Sequence, residues 1–152
     1  MPHIHDLIDF TVGVFIVHNH QVLMIHHKKL NRWLCVGGHI ELDEDPEQAA
    51  IREAKEESGL DIELIGTRPP VNDGINRGLI TPWYLDIHSI TEQHRHIGMM
   101  YVARSTSADV VLATEEHHAI RWFSSEELDD PNFNLTEGMK FYAREALRIA
   151  VA

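Results

Sequence analysis

Two runs dominated by aliphatic and β-branched residues, 10–17 (FTVGVFIV) and 21–27 (QVLMIHH), flank the polar triplet HNH, a pattern that predicts a β-hairpin. A shorter apolar run, 33–36, ends at the glycine pair Gly37 and Gly38. Residues 61–67 alternate apolar with polar, and further strands are expected over 83–89, 96–104 and 118–123. Helical spacing occurs twice. Over 45–59, Asp45 fits an N-cap, Pro46 the first helical position, Glu47 the first turn, Gln48 the capping-box position and Gly59 the stop. Ala50, Ile51 and Ala54 are expected to form the flank of this helix opposite its glutamates, small enough for close approach to a sheet. From 135 to 150, Leu135, Met139, Tyr142, Ala143, Ala146, Ile149 and Ala150 recur at helical spacing, with Asn134 and Glu137 as a second capping box. Mixed strands with one helix in mid-chain and one at the end predict an α/β/α sandwich with a mixed β-sheet and flanking helices.

At 152 residues, with no internal repeat or linker, the chain is expected to form a single domain over 1–152. The turn-rich stretch 68–78 (RPPVNDGINRG) reads as a loop rather than a boundary. A formal charge of −11 argues against a broad nucleic-acid surface, because phosphate backbones are held by Lys and Arg; a small anion can still bind through bridging cations. No polynucleotide partner is expected. The first residues lack a signal-peptide pattern and no run of 18 apolar residues occurs, so no membrane association and a cytoplasmic location are expected. Cys35 is the only cysteine, and its place in the apolar WLCV run predicts a buried structural thiol. Trp122 is expected in the core.

Twelve histidines would carry the formal charge from −11 to about +1 on full protonation, so charge-dependent behaviour should change near neutral pH. His94 and His96 alternate on one strand face and could form a metal pair. No third ligand is spaced to complete them, and a surface or packing role is expected.

The densest chemistry lies in GHIELDEDPEQAAIREAKEESGL, residues 38–60. Glu53, Glu56 and Glu57 are spaced to share an arc of roughly 100° on a helix. Such a face repels itself unless a cation sits on it, and a hard divalent ion that takes oxygen ligands is the natural partner. The carbonyl of Gly37 could add a ligand. Arg52, four residues before Glu56 and eight after Glu44, is placed to brace carboxylates. In the loop 68–78, Arg77 could meet a phosphate, and Trp33 could stack on a base or pack in the core.

Gly38, Glu44, Arg52, Glu53, Ala54, Glu56, Glu57, Gly59 and Leu60 stand at the offsets of G-x5-E-x7-R-E-U-x-E-E-x-G-U, where U is aliphatic. This resembles the Nudix box, the signature of the Nudix hydrolases. The resemblance implies the Nudix fold and a hydrolase that uses Mg2+ (or Mn2+) to cleave the diphosphate bond of a nucleoside diphosphate linked to another group. It implies catalytic roles for Glu53, Arg52 and Glu57, with Glu53 the first choice of base. The metal set it implies is Gly37, Glu53, Glu56, Glu57 and an acid from a later loop, Glu116 matching better than Glu115. Gly38, Glu44, Trp33 and Arg77 complete the expected substrate-binding residues. Val36 stands where family members usually have proline, and Ala54 is smaller than the usual aliphatic. Oxidised nucleoside triphosphates, nucleotide sugars, ADP-ribose and dinucleoside polyphosphates all remain open as small nucleotide substrates, as does a homodimer. Two other readings stand beside this one: a nucleotide-binding regulatory module without turnover, and an acidic divalent-ion-binding interaction protein.

Overall fold

Strand β1 (Ile8–His18) is the spine of the sheet. On one side it runs parallel to β7 (Arg95–Arg104), from Ile8 opposite Arg95 to Val17 opposite Arg104. Its other side forks. The C-terminal end forms a hairpin with β2 (Gln21–His27), and the middle pairs antiparallel with β4 (Val36–His39). Asn19 and His20 take left-handed angles, φ 49° and 62°, as a two-residue hairpin turn requires, so the expected hairpin forms. β3 (Arg32–Leu34) and β8 (His117–Phe123) pair with β2, while β5 (Glu63–Ile65) and β6 (Tyr84–Ser89) pair with β7. The computed structural model describes residues 3–151.

The eight-stranded mixed sheet lies between two helices, as the strand and helix pattern predicted. Alternation along β1 sends Val12, Val14 and Ile16 to one face and Phe15 and Val17 to the other. The first face packs against Ala49, Ala50 and Ala54 of α1 (Pro46–Ser58) and the second against Ala143, Ala146 and Ile149 of α2 (Glu137–Val151). Burial on both faces is why β1 reads as an unbroken apolar run rather than an alternating one. Each such side chain contributes about 1.5–3 kcal/mol relative to exposure. No helix among the described residues is long and apolar enough to cross a membrane.

Three local expectations are corrected. The run 33–36 does not end at the glycine pair as one segment: it divides into the end of β3 and the start of β4, and Gly37 and Gly38 lie inside β4 opposite Gly13 and Val12. The cap of α2 is Thr136, whose Oγ1 accepts the Met139 amide at 3.2 Å; Asn134 instead takes a left-handed turn conformation, φ 49°. On α1, Ile51 is 50% exposed whereas Glu53 and Glu57 are buried. On a helix at about 100° per residue Ala50 stands only about 20° from Glu57. Ala50, Glu53, Ala54 and Glu57 therefore form a single stripe facing the sheet.

Candidate active site

The ends of α1 are set as its sequence predicts. Asp45 accepts the Gln48 amide, the Gln48 side chain accepts the Asp45 amide, and Gly59 closes the helix in the left-handed conformation, φ 77°. Pinned at both ends, the helix delivers its carboxylates to β4. The Gly37 amide donates to Glu57 Oε1 at 2.7 Å. A Cβ at Gly38 would lie 2.3 Å from Glu53 Oε1, and one at Gly37 would lie 2.1 Å from the Val12 carbonyl oxygen. Neither glycine is among those with positive φ. What the pair supplies is close approach, to a carboxylate at one residue and to a neighbouring strand at the other.

Arg52 is the hub of the acidic cluster. Its guanidinium donates to Glu44 through Nε at 3.0 Å and Nη2 at 2.5 Å, to Glu53 at 3.0 Å, to Glu56 at 3.2 Å and to the His39 carbonyl at 3.1 Å. The planar fork thus spans three carboxylates and the end of β4. Its bond holds Glu44 below the ordinary carboxylate range, and Glu44 in turn raises the arginine further.

The other two buried acids run the opposite way. Desolvation pushes Glu53 up to about 8, with repulsion from Glu57 adding to it and Arg52 only partly opposing it. Burial also raises Glu57, against the bonds from His117 and Gly37. Two buried carboxylates held above their normal range form a site short of positive charge.

His117 completes the cluster and was not singled out from sequence. Its Nε2 lies 2.5 Å from Glu57 Oε2, and its ring is fully buried. Strict alternation from Ile120 and Trp122, which pack on the α1 face, would turn His117 away. A bulge intervenes: the register passes from His26 opposite Ala119 to His27 opposite His117, skipping His118. Glu116 arrives with it, and Glu57, Glu116 and His117 offer ligand atoms within 4.8 Å of one another. The structure thus brings together Gly37, Gly38, Glu44, Arg52, Glu53, Glu56, Glu57 and Glu116.

Two expected substrate residues stand elsewhere. Trp33 packs edge-on against Phe123 and Phe133, ring centroids 5.1 and 6.0 Å apart, on the α2 face of the sheet. Arg77 pairs with Asp45 at 3.1 Å, and Arg68 with Glu47 at 2.7 Å. The loop 68–78 is therefore fastened to the first turn of α1, about 18 Å along the helix from Glu57. It borders a groove of about 530 Å³ that also touches Tyr101 and Met99. Cys35 is half-buried against the α2-side core rather than fully buried, with desolvation pushing its thiol up to about 12, and Trp122 packs on the α1-side core.

The family model of the NUDIX domain matches residues 8–144. A Nudix-family hydrolase from Clostridium perfringens has 36% identity and a TM-score of 0.82, with 93% of this chain and 97% of that one covered. A MutT Nudix hydrolase from Burkholderia pseudomallei shares the fold at 23% identity, TM-score 0.67, over 93% and 97% of the two chains. An Ap4A hydrolase from C. elegans does so at 18% identity, TM-score 0.70, over 94% and 98%. The chain therefore belongs to the Nudix hydrolase family and is one of its pyrophosphohydrolases.

Proposed function

We propose that this protein hydrolyses the diphosphate bond of a small nucleoside diphosphate linked to another moiety, using Mg2+ or Mn2+ held on α1. The observation that carries the reading is the arrangement of Glu53, Glu56 and Glu57 around Arg52 and the Gly37 amide. The donor set fits such an ion. It is built of carboxylate oxygens, two of them buried and raised above their ordinary range chiefly by desolvation, and Glu56 and Glu116 extend it toward solvent. When bound, a cation of this kind neutralises phosphate oxygens and acidifies a water ligand.

The chain's own residues do the rest. Arg52 fixes Glu53 and Glu56 relative to each other and to Glu44, so the acidic face does not splay under its own repulsion. Gly37 and His117 hold Glu57 by both oxygens. Glu53, whose carboxyl desolvation pushes up to about 8, is the base that accepts the proton of the attacking water. Gly38 leaves room for its carboxylate, and Arg77 with the loop 68–78, which borders the groove beside Tyr101, is what we assign to substrate selection, whereas Trp33 serves the core on the α2 face. Cytoplasm is the setting in which this reading places the reaction, in keeping with a family that acts on small nucleotides.

Turnover across a panel of nucleoside triphosphates, nucleotide sugars, ADP-ribose and dinucleoside polyphosphates, with Mg2+ and then with Mn2+, tests the reading. At least one substrate is expected to be cleaved, with Glu57→Gln lowering the rate by two orders of magnitude or more. Cleavage of none of them, or unchanged cleavage by the variant, favours a binding module instead.

A further inference from the structure

Asp9 is a fully buried aspartate, and three imidazoles converge on one of its oxygens. His39 Nε2 lies 2.9 Å from Oδ2, and His3 Nδ1 and His94 Nε2 each lie 3.4 Å from it. His96 stands opposite Asp9 across the β1–β7 pairing, with its ring centroid 4.9 Å from that of His39 and 5.0 Å from that of His94. Ligand-capable atoms of His3, Asp9, His39 and His96 all lie within 4.8 Å of one another. The third ligand that His94 and His96 lack in sequence is thus supplied from β1 and β4.

His94 fixes what the cluster needs. Its Nδ1 donates to the Asp6 carbonyl at 2.9 Å, and because a carbonyl only accepts, that nitrogen carries the proton. In the neutral ring its Nε2 then presents a lone pair to a carboxylate oxygen that also carries lone pairs. His94 is 3% exposed, and among the described residues neither its Nε2 nor that of His96 has a hydrogen-bond partner. Two acceptors face to face in a buried site repel unless a cation lies between them. A ring nitrogen anchored to a backbone carbonyl, with the other aimed inward, is also the usual posture of a metal-ligating histidine.

We propose that this cluster is a second metal site, separate from the carboxylates of α1, that takes a borderline divalent ion of the Zn2+ class. Asp9 is its centre, and Zn2+ draws its set from His39, His96 and His3, whose ligand atoms lie within 4.8 Å of one another and of Asp9, and from His94, 3.4 Å from Asp9 Oδ2, with His3 at the exposed rim where the ion enters. Ligands at about 2.0–2.1 Å in a tetrahedron stand about 3.3 Å apart, and the separations of His39, His3 and His94 from Asp9 Oδ2, 2.9–3.4 Å, bracket that value. An imidazole-rich set selects against Mg2+, which demands oxygen donors, so the two sites sort their ions by chemistry. Occupancy would tie the segment before β1 to β4 and β7. It would do so at His39, whose carbonyl receives Arg52.

The test uses the metal-stripped full chain with millimolar Mg2+ present throughout. Micromolar Zn2+ is titrated by calorimetry, Co2+ is followed by its visible absorption, and Tm is recorded with and without Zn2+. The wild type is expected to bind one Zn2+ per chain at the cluster, to give the intense bands of four-coordinate Co2+, and to gain Tm. Glu57→Gln keeps all three signals, and His94→Ala with His96→Ala lowers affinity at least a hundredfold. Should that pair fail to fold by circular dichroism, His3→Ala replaces it, with an expected loss of about tenfold. Absence of the Co2+ bands in the wild type overturns the proposal, as does Zn2+ uptake that survives the histidine variants or vanishes in Glu57→Gln.

Discussion

His117 Nε2 lies 2.5 Å from Glu57 Oε2, and the Gly37 amide holds the other oxygen of the same carboxylate at 2.7 Å. A buried acid gripped at both oxygens can present its remaining lone pairs in one direction only. His117→Ala is expected to raise the Mg2+ concentration for half-maximal rate about ten- to a hundredfold. Rate against Mg2+ concentration checks this, and an unshifted midpoint would remove His117 from the site.

Arg52 reaches Glu44, Glu53, Glu56 and the His39 carbonyl at once. A lysine ammonium is a point donor without a planar fork and cannot span them. Arg52→Lys therefore keeps the charge and loses the geometry. A fall in kcat of about ten- to a hundredfold is expected, the equivalent of losing one charge-assisted bond at about 1.5–3 kcal/mol. Steady-state kinetics at saturating Mg2+ measures it. Full activity would mean that charge alone is what the acids require.

Gly37 and Gly38 are adjacent, yet the same substitution should act on them differently. At Gly38 the added methyl meets the end of a side chain, Glu53 Oε1 at 2.3 Å; at Gly37 it meets backbone, the Val12 carbonyl at 2.1 Å. Gly38→Ala is expected to displace Glu53 and cut the rate tenfold or more while Tm moves little. Gly37→Ala has to part β1 from β4, at a cost of about 1–3 kcal/mol or more, and Tm should fall by several degrees. Thermal melts and kinetics on both variants decide it, and identical profiles would contradict the contacts.

The caps of α1, the hairpin turn and the acidic register were all legible in sequence, because each is fixed by local spacing: Asp45 with Gln48, Asn19 with His20, Glu53 with Glu57. His117 was hidden because one skipped residue, His118, reverses the face that alternation assigns. The burial of Glu53 and Glu57 escaped notice for a related reason. Charge suggested a solvent-facing arc, but with alanines at 50 and 54 beside them the same stripe packs on the sheet. Asp9 and His39 come from separate strands, and no spacing within one segment could have joined them to His94 and His96.

Glu53 links the chemistry to stability. Its carboxyl is pushed from an ordinary 4.5 up to about 8 in the folded protein, chiefly by desolvation, so between those values the folded state holds a proton that the unfolded state has released. Stability must then fall as pH rises through this window, and the contribution of the bound proton is gone above about pH 8. Gln cannot ionise, so Glu53→Gln should escape the fall. Each tenfold change in proton affinity is worth about 1.4 kcal/mol, which predicts a Tm for the metal-free variant several degrees above wild type at alkaline pH. At acid pH the two should converge. Saturating Mg2+ should restore the wild type at alkaline pH and leave the variant, whose catalytic rate is lost, nearly unmoved. Melting curves across pH with chelator and then with Mg2+ check both halves, and a metal-free wild type whose stability rises through the window would show that Glu53 is already charged.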